Sequence, residues 1–419
     1  MSIQNQEENY KWNFTVNMLD GASFWIGSSF ITASTIFPLF ISKLTDSLVP
    51  IGLINLITAA GWFLPQLFSA RITESRSKMK EIVVGWGFFL ERMPIILMIT
   101  SPLVAKSNPT LALVILLICL SWHTMGAGII ATAWMSLLAK IFLPEKRGSF
   151  LGTTMFIGNG MGIIGSLISA WILRNLIFPT SFILHFLIAA IFILISWFFL
   201  GLTREPVSTQ ENTSPDLAAY FRELLEIFKA DHNFRRYIIT IIIVTVGGMG
   251  TGFFTISAIR RFDVLDSTVA LYTLSMLIGQ TLGNLLLGWL ADKHGHKQSL
   301  EIGVFALLAA FILAVFVPSP LFYFVIFFLL GINFSSGIVS GMLIVWEFCP
   351  ISRVPTYAGL SNTAKGMVGL VIPILATQLA RIDYGVLFGI CAVVTLLGLL
   401  LLRRWVFEPR LNKDPLKNS

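Results

Sequence analysis

Four ionisable residues lie inside stretches of the sequence that carry almost no other charge. Glu91 and Arg92 are neighbours in one such stretch, while His123 and Lys365 stand alone in two others. Carboxylate, imidazole and amine side chains in apolar surroundings can bind a proton, form a buried ion pair or hold a ligand of opposite charge. Because burying a charge is costly, these residues are the first candidates for a functional site.

The composition requires the apolar stretches to be buried in a membrane. Of the 419 residues, 55% are hydrophobic and 12% are charged, whereas a soluble domain carries about 25% charged residues. A helix of roughly 20 apolar residues satisfies every backbone polar group inside hydrocarbon. The stretches here are long enough and lack the polar alternation of a barrel strand. The sequence therefore predicts an all-α integral membrane protein.

Hydropathy predicts about twelve transmembrane helices, which we number as spans 1 to 12 in chain order. The first six are residues 18–41, 51–70, 82–105, 111–139, 150–173 and 181–202. The second six are residues 237–259, 269–291, 302–317, 321–346, 357–379 and 384–402.

The longest polar stretch, residues 203–236, separates the two groups of six spans. It contains a helix start, with Ser214 in the N-cap position and Pro215 at the first helical position. Apolar residues follow at helical spacing, so we predict a linker with an amphipathic helix that packs on the protein or the membrane surface. A regulatory switch is the less favoured alternative. The predicted units are residues 1–202, the linker, and residues 237–419.

The distribution of lysine and arginine predicts the orientation. With the N-terminus inside, the inner loops and termini hold 21 of these residues and the outer loops hold six. The cytoplasmic side of a membrane protein carries the excess, so both termini and the linker should be cytoplasmic. We expect a multi-pass protein of the cytoplasmic (inner) membrane of a bacterium. The net charge of +7 is dispersed over these short loops, which argues against nucleic-acid binding.

Three of the ionisable residues should lie at a similar depth. Glu91 is nine residues into span 3, about 14 Å at 1.5 Å per residue, and His123 is twelve residues into span 4 from the opposite side. Glu91 and Arg92 should point about 100° apart on a helix and should not pair with each other. The three residues could form a structural polar cluster, or a site for a substrate or proton. Lys365 in span 11 could meet a substrate carboxylate or a backbone carbonyl.

Two further ionisable residues lie near the predicted ends of spans. Asp20 falls in the first turn of span 1, where stabilisation of the helix end is favoured over a role in proton coupling. His185 falls near the outer end of span 6 and should be interfacial.

The sharpest local motif, between spans 8 and 9, runs from Gly288 to Lys297 and reads Gly-Trp-Leu-Ala-Asp-Lys-His-Gly-His-Lys. Gly288 allows close helix contact, Asp292 can sit against a helix N-terminus or an arginine, and Gly295 permits a tight turn. Lys293 and Lys297 should hold the loop on the cytoplasmic side. The motif therefore predicts a tight cytoplasmic turn that contacts a neighbouring helix.

The two halves of the chain echo each other. The segment Pro-Glu-Lys-Arg before span 5, which ends at Arg147, corresponds to Pro-Ile-Ser-Arg before span 11, which ends at Arg353. Weak internal repetition of this kind is typical of two six-helix halves related about an axis along the membrane normal.

These features together resemble the major facilitator superfamily. The resemblance rests on the six plus six spans, the central linker, the arginine after span 4 and the loop after span 8. In that superfamily the loop motif also occurs between spans 2 and 3, but here the corresponding stretch ending at Arg71 lacks the acid and the glycines. We therefore expect asymmetric gating contacts. The resemblance implies a secondary transporter of a small organic molecule that works by alternating access, with proton coupling and export both open.

A glycine-rich stretch in span 5 has two interpretations. Gly158, Gly160, Gly162 and Gly165 are typical of helices that pack closely. Drug/proton antiporters of the superfamily have a glycine-rich motif there, but its proline is missing here. The packing interpretation is favoured.

The resemblance also implies that spans 1, 4, 7 and 10 line a central cavity. Their candidate lining residues are aromatic, small or weakly polar: Phe24, Trp25, Ser28, Trp122, His123, Thr124, Trp134, Thr251, Phe253, Phe254, Asn333 and Ser335. So little fixed charge argues for a neutral, amphipathic or singly charged substrate, because a buried polyanion would need several cationic partners.

The loop motif leads to an expectation about gating. Asp292 should stand close to the start of span 11, where a helix N-terminus and Arg353 offer positive charge. This contact should exist only while the cytoplasmic side is closed.

Two other classes of function were weighed. A membrane-embedded enzyme would need acids, histidines or metal ligands clustered at one membrane face, and a transport-fold sensor would need a soluble output domain; neither is evident in the sequence. Cys119, Cys349 and Cys391 have neither paired nor metal-ligand spacing, so we expect no disulfide, metal or cofactor. The expected partners are a small-molecule substrate, with or without a proton, and the lipid bilayer around a monomer.

Overall fold

The computed structural model of the chain describes residues 3–74, 78–206, 226–341, 343–349 and 353–410, and these are almost entirely helical. The all-α class predicted from the composition is confirmed. The predicted amphipathic helix beginning at Ser214 lies outside the described residues, as does most of the linker.

Eleven helices in this described part of the chain are long and apolar enough to cross a membrane. They coincide with predicted spans 2 to 12, whose observed bounds are Val49–Glu74, Glu81–Val104, Pro109–Ile141, Pro144–Asn175, Thr180–Gly201, His232–Phe262, Asp266–His294, His296–Val315, Phe322–Glu347, Val354–Ile382 and Tyr384–Arg404. Several helices extend beyond their apolar segments because a helix can continue into polar sequence outside the hydrocarbon.

Span 1 is longer and more broken than predicted. It consists of a long part, Ile3–Ser29, and a short part, Ile36–Ser42, and it is not among the eleven because its first half is polar. Between the two parts, the hydroxyl groups of Thr32 and Thr35 bond each other, and the backbone N–H of Ile36 donates to the Thr32 hydroxyl over 3.1 Å. Hydroxyl groups that bond local backbone compete with helical hydrogen bonds, which explains the interruption.

Spans 3, 7 and 10 are also irregular. Span 3 contains two π-helical turns, Glu81–Trp86 and Phe88–Arg92. Span 7 narrows to a 3-10 helix at Gly248–Phe253, and span 10 is interrupted near its C-terminal end. In span 7, Asn55 of span 2 packs directly on Gly252, where a Cβ atom would not fit. Irregular backbone at membrane depth is tolerated where protein surrounds it, and π-helical turns often mark functional sites.

Two helix pairs make the most extensive contacts between the first six spans and the second six. Span 2 packs along span 11, and span 5 packs along span 8. The glycines of span 5 allow the close approach of span 1, since Gly158 lies against the ring of Trp25 and Gly165 against the side chain of Ser29. The packing interpretation is confirmed at these two positions, whereas Gly160 faces open space.

The loops between the helices lie at two opposite faces of the molecule. The Lys43 face, as we call it, carries the loops after spans 1, 3, 5, 7, 9 and 11. The other face, called the Lys293 face, carries the loops after spans 2, 4, 8 and 10 and the segments that leave spans 6 and 12.

Candidate functional site

Glu91 and Arg92 form an ion pair deep in the first half of the protein. Their carboxylate and guanidinium groups are in direct contact, and both residues are at least nine-tenths buried. The expectation that these neighbours cannot pair is therefore wrong. Its reason lies in the backbone, because both residues belong to the π-helical turn Phe88–Arg92, and the long arginine side chain can fold back onto its neighbour.

Asp20 and His123 join this pair from two other helices. The Nδ1–H of His123 in span 4 donates to the backbone carbonyl of Glu91 over 2.9 Å. Asp20 in span 1 interacts electrostatically with Arg92, and its Oδ1 accepts a hydrogen bond of 2.5 Å from the hydroxyl of Ser196 in span 6. We call Asp20, Glu91, Arg92 and His123 the buried charge cluster.

The position of Asp20 corrects the sequence prediction. Its helix begins at Ile3 rather than near Asp20, so the carboxylate lies in the middle of a helix and cannot stabilise a helix end. A signal was available, because Asn9, Asn13 and Asn17 precede Asp20 at helical spacing and mark one polar face. Hydropathy placed the start of span 1 at residue 18 because a polar face lowers the mean hydropathy of the segment between Ile3 and that residue.

His185 is also placed differently from the prediction. It is completely buried rather than interfacial. Its Nδ1–H donates to the carbonyl of Ser181 and its Nε2 accepts from the hydroxyl of Ser169, both over 2.7 Å. Both ring nitrogens are thereby satisfied within spans 5 and 6, which gives His185 a structural role.

Lys365 lies where the two halves of the protein meet. It belongs to span 11, and its ammonium group is 5.8 Å from the centre of the Phe63 ring in span 2. The described residues place no carboxylate within ion-pair distance of it. One turn nearer the Lys293 face, the amide of Asn362 donates to the Gln66 side chain over 3.1 Å. Lys365 therefore lies between the halves beside an aromatic ring.

Trp25 and Asn333 make packing contacts between helices. Trp25 is half-buried against Gly158 of span 5. The amide of Asn333 in span 10 donates to the carbonyl of Gly303 in span 9 over 3.0 Å. This bond turns the Asn333 amide towards span 9 in the described conformation.

Polar contacts join the two halves at the Lys43 face. Each contact links the segment around the break in span 1 to span 7 or span 8. They are the Lys43–Asp266 ion pair of 2.7 Å, a bond from Arg260 to the carbonyl of Asp46, a 2.5 Å bond from Thr255 to the carbonyl of Ser34, and a 2.5 Å contact between the Thr35 and Thr273 hydroxyls. The Lys43 face is therefore held closed, and the predicted site residues did not include this lock.

At the Lys293 face, the loop after span 8 has the predicted turn but not all of the predicted contacts. Gly295 has φ +94°, a conformation that favours glycine. Gly288 has open space where a Cβ would stand, so the expectation that it allows a close helix contact is wrong. The Asp292 side chain is exposed and so is that of Arg353, and the described residues show no ion pair between them. Lys293 instead lies 5.2 Å from the ring centre of Trp289.

Arg147 and Lys297 are held by carbonyl groups at the same face. Arg147 donates to the carbonyls of Ala139 and Phe142, over 2.6 and 3.1 Å, and so satisfies the C-terminal end of span 4. The ammonium group of Lys297 donates to the carbonyl of Arg403 over 3.1 Å.

Two glutamates at this face, neither of them a predicted site residue, bind the N-terminal ends of helices. Glu205, after span 6, accepts hydrogen bonds of 2.8 Å from the backbone N–H groups of Met79 and Lys80 at the start of span 3. Glu408, after span 12, accepts a bond of 3.0 Å from the backbone N–H of Lys297 at the start of span 9. Each glutamate precedes a proline, and this repeated Glu-Pro pair is the signal that could have identified them.

Comparison with known proteins places the chain in a family. The profile of the Major Facilitator Superfamily matches residues 93–278 and 261–419, which is well over half of the chain. No curated protein matches the sequence significantly.

Solved structures show the same fold at low sequence identity. The chain resembles the nucleoside transporter NupG with a TM-score of 0.66 and 12% identity, covering 94% of this chain and 98% of that one. It resembles a D-xylose-proton symporter with a TM-score of 0.66 and 13% identity, covering 95% and 98% of the two chains. A bacterial homologue of the human lysosomal transporter Spinster, in an inward-facing, unoccupied conformation, gives a TM-score of 0.63 and 13% identity, covering 96% of each chain. The chain belongs to the Major Facilitator Superfamily and has its fold of two six-helix halves.

Proposed function

We propose that the protein is a proton-coupled secondary transporter that moves a small organic molecule by alternating access. The substrate binds between the two halves, and the coupling proton binds in the buried charge cluster. The observation that carries this proposal is the charge balance of the cluster, in which the single guanidinium of Arg92 contacts the carboxylate of Glu91 and interacts electrostatically with that of Asp20. Membership of the superfamily supports transport rather than enzymatic activity, and one structural neighbour is a D-xylose-proton symporter.

The charge balance favours a proton at this site. Arg92 can neutralise either Asp20 or Glu91, but not both, and all three residues are at least nine-tenths buried. His123 uses its Nδ1–H on a carbonyl group and adds no charge while it is neutral. A second unpaired carboxylate in low-dielectric surroundings is strongly unfavourable. A single proton shared by the two acids removes that cost, so the cluster can bind and release one proton.

The lock at the Lys43 face supports alternating access. The excess of basic residues assigns the Lys293 face and both termini to the cytoplasm, so the described conformation is closed towards the outside. Breaking the contacts around Lys43 and Asp266 would open that side. Asp292 and Arg353 are then free to approach each other at the opposite face, as the sequence motif predicts. We place the protein in the cytoplasmic membrane of a bacterium on the same charge argument.

The substrate is neutral or carries one negative charge. Lys365 is a cation at the interface between the halves, and the ring of Phe63 beside it can stack on an apolar or sugar-like group. A polyanion would need more cationic partners than the described residues of this interface offer. Trp25 and Asn333 remain candidates for substrate contact in a conformation open towards the Lys43 face.

A substrate screen in proteoliposomes tests the proposal. Radiolabelled sugars, nucleosides and monocarboxylates would be offered with and without an imposed pH gradient. We expect accumulation of one class above its equilibrium level only when the gradient is present, in the wild type and not in Asp20→Asn. Transport that ignores the pH gradient would contradict proton coupling, while leaving a facilitated transporter.

A further inference from the structure

We propose that the coupling proton exchanges between the buried charge cluster and the Lys293 face along a polar seam between span 1 and span 6, separate from the substrate path between the halves. The proposal rests on the proposed function, since it concerns the same proton. It assigns a role to Asn13, Asn17 and Thr203, which lie outside the cluster.

The seam begins where span 6 ends. The backbone N–H of Arg204 donates to Oδ1 of Asn13 over 2.9 Å, and Nδ2 of Asn13 donates back to the carbonyl of Arg204 over 3.0 Å. The guanidinium group of Arg204 reaches the side chain of Asn9 over 3.1 Å at the exposed end. These bonds attach the polar face of span 1 to the segment that follows span 6 and place the outer end of the seam at the Lys293 face.

The seam continues inwards by one helical turn at a time. Nδ2 of Asn17 donates to the carbonyl of Asn13 over 2.8 Å and to the hydroxyl of Thr203 over 3.1 Å. Asp20 follows Asn17 by three residues, a spacing that puts their Cβ atoms about 5–6 Å apart on one helix face. The hydroxyl of Ser196 then donates to Asp20. Polar groups thus run from the surface to the cluster without leaving the two helices.

One atom in the seam lacks a partner. Asn17 is only 2% exposed, and its Oδ1 atom accepts no hydrogen bond from any described residue. A buried acceptor without a donor is unfavourable, and an apolar side chain would pack here at lower cost. An acceptor between Thr203 and Asp20 is, however, what a proton relay requires, because it can take a hydrogen bond from a passing water or from a protonated carboxyl group.

The charged groups around Asp20 are accounted for on every helix that packs against it. Span 3 contributes Glu91 and Arg92, and span 4 contributes His123 through the carbonyl of Glu91. Span 6 contributes the hydroxyl of Ser196, and the side chain of Thr154 in span 5 lies against Gly21, next to Asp20; neither group titrates. Among the described residues, the seam therefore leads to the acids Asp20 and Glu91 and to no other acid.

The seam lies inside the first half of the protein. Span 6 packs against spans 1 and 3, whereas the contacts between the halves run through spans 2 and 11, through spans 5 and 8 and, at the opposite Lys43 face, through the segment around the break in span 1. Substrate in the cleft between the halves would not need to leave before the proton did. Proton exchange with the Lys293 side should thus continue while substrate is bound.

Infrared spectroscopy of the purified full-length protein in lipid nanodiscs tests this without a substrate. After a pH jump, the carbonyl band of a protonated carboxylic acid reports the cluster, and it is assigned by its loss or shift in Asp20→Asn or Glu91→Gln. We expect Asn17→Leu and Thr203→Val to slow the appearance of this band by about tenfold or more, which corresponds to a barrier higher by about 1.4 kcal/mol. Its final amplitude should be unchanged, because the proton site itself is intact.

The matched control is Ser166→Ala, which removes a buried hydroxyl that bonds only its own helix in span 5. It should leave the rate as in the wild type. Thr203→Val keeps the test decisive if Asn17→Leu fails to fold. A band that appears as fast in the seam variants as in the control would overturn the seam and leave the proton site standing, and so would equal slowing in the control. A spectrum in which neither Asp20→Asn nor Glu91→Gln changes any acid band would overturn the proposed function itself.

Discussion

Glu205 and Glu408 occupy equivalent positions in the two halves, each bonding the N-terminal end of a helix that begins at the Lys293 face. Glu205 holds the start of span 3 and also pairs with Lys140 at 3.2 Å. Glu408 holds the start of span 9. A carboxylate at a helix N-terminus satisfies free N–H groups and interacts favourably with the helix dipole. The segments that follow spans 6 and 12 are thus attached to the starts of spans 3 and 9.

Removal of the Glu205 carboxylate should destabilise the protein. Glu205→Ala removes the acceptor of two backbone N–H groups and one ionic partner of Lys140, so we expect a loss of about 1 to 3 kcal/mol in unfolding free energy. Thermal unfolding in detergent measures it as a lower midpoint. Glu81→Ala is the control, because Glu81 makes an exposed pair with Lys78 and its loss should be worth less than about 1 kcal/mol. Equal effects of the two changes would show that Glu205 is not a structural cap.

The two glycines of the loop motif should respond oppositely to alanine. Gly295→Ala places a side chain on a backbone with φ +94° and against the Glu408 carboxylate, at an expected cost of about 1 to 3 kcal/mol. Gly288→Ala fills open space within a helix and should stabilise by up to about 1 kcal/mol. Unfolding midpoints of the purified variants measure both changes. Destabilisation by Gly288→Ala would instead support the close helix contact that the sequence predicts at Gly288.

The buried charge cluster should tolerate loss of an acid far better than loss of its cation. Glu91→Gln leaves the charge of Arg92 balanced by that of Asp20, with which it interacts electrostatically, whereas Arg92→Gln leaves two acids and no cation, which typically costs about 3 to 5 kcal/mol. We expect a low folded yield for Arg92→Gln and recovery when Glu91→Gln is added to it. Size-exclusion profiles of the detergent-solubilised variants measure this. A normal yield of Arg92→Gln alone would remove the charge balance on which the proton site depends.

The lock at the Lys43 face should set the balance between conformations. Lys43→Met or Asp266→Asn breaks an ion pair that is about one-third exposed, so the expected shift is modest, within about 1 kcal/mol towards the state open at that face. Asp292→Asn should shift the balance the other way if Asp292 contacts Arg353 in that state. Distances between spin labels across each face report the populations. Shifts of the same sign in Asp266→Asn and Asp292→Asn would contradict opposed gates.

Whether the sequence predicts a part of the fold depends on how the residues of that part are patterned. Spans 2 to 12 are runs of apolar residues, and hydropathy detects them directly. The long helix of span 1 carries its information in one polar face, with Asn13 and Asn17 leading to Asp20, and averaging over a window conceals it. The direct pairing of Glu91 with Arg92 depends on a π-helical turn, which a regular helical wheel does not allow for.

The gates were harder to predict for a different reason. The turn at Gly295 is local and was correctly predicted, whereas the Lys43–Asp266 pair joins residues more than two hundred positions apart. No spacing rule connects such residues. Which gate is closed also depends on the conformational state, which a sequence specifies only as a balance between two structures.

The central claim is that Asp20 belongs to the site that couples the proton to transport, and one variant tests it directly. Asp20→Asn removes a shareable carboxyl group but leaves Glu91 paired with Arg92, so the cluster stays neutral and the protein should fold. In proteoliposomes loaded with an identified substrate, we predict that this variant still exchanges internal for external substrate but no longer accumulates it in response to a pH gradient. Accumulation at the wild-type level in Asp20→Asn would contradict the account.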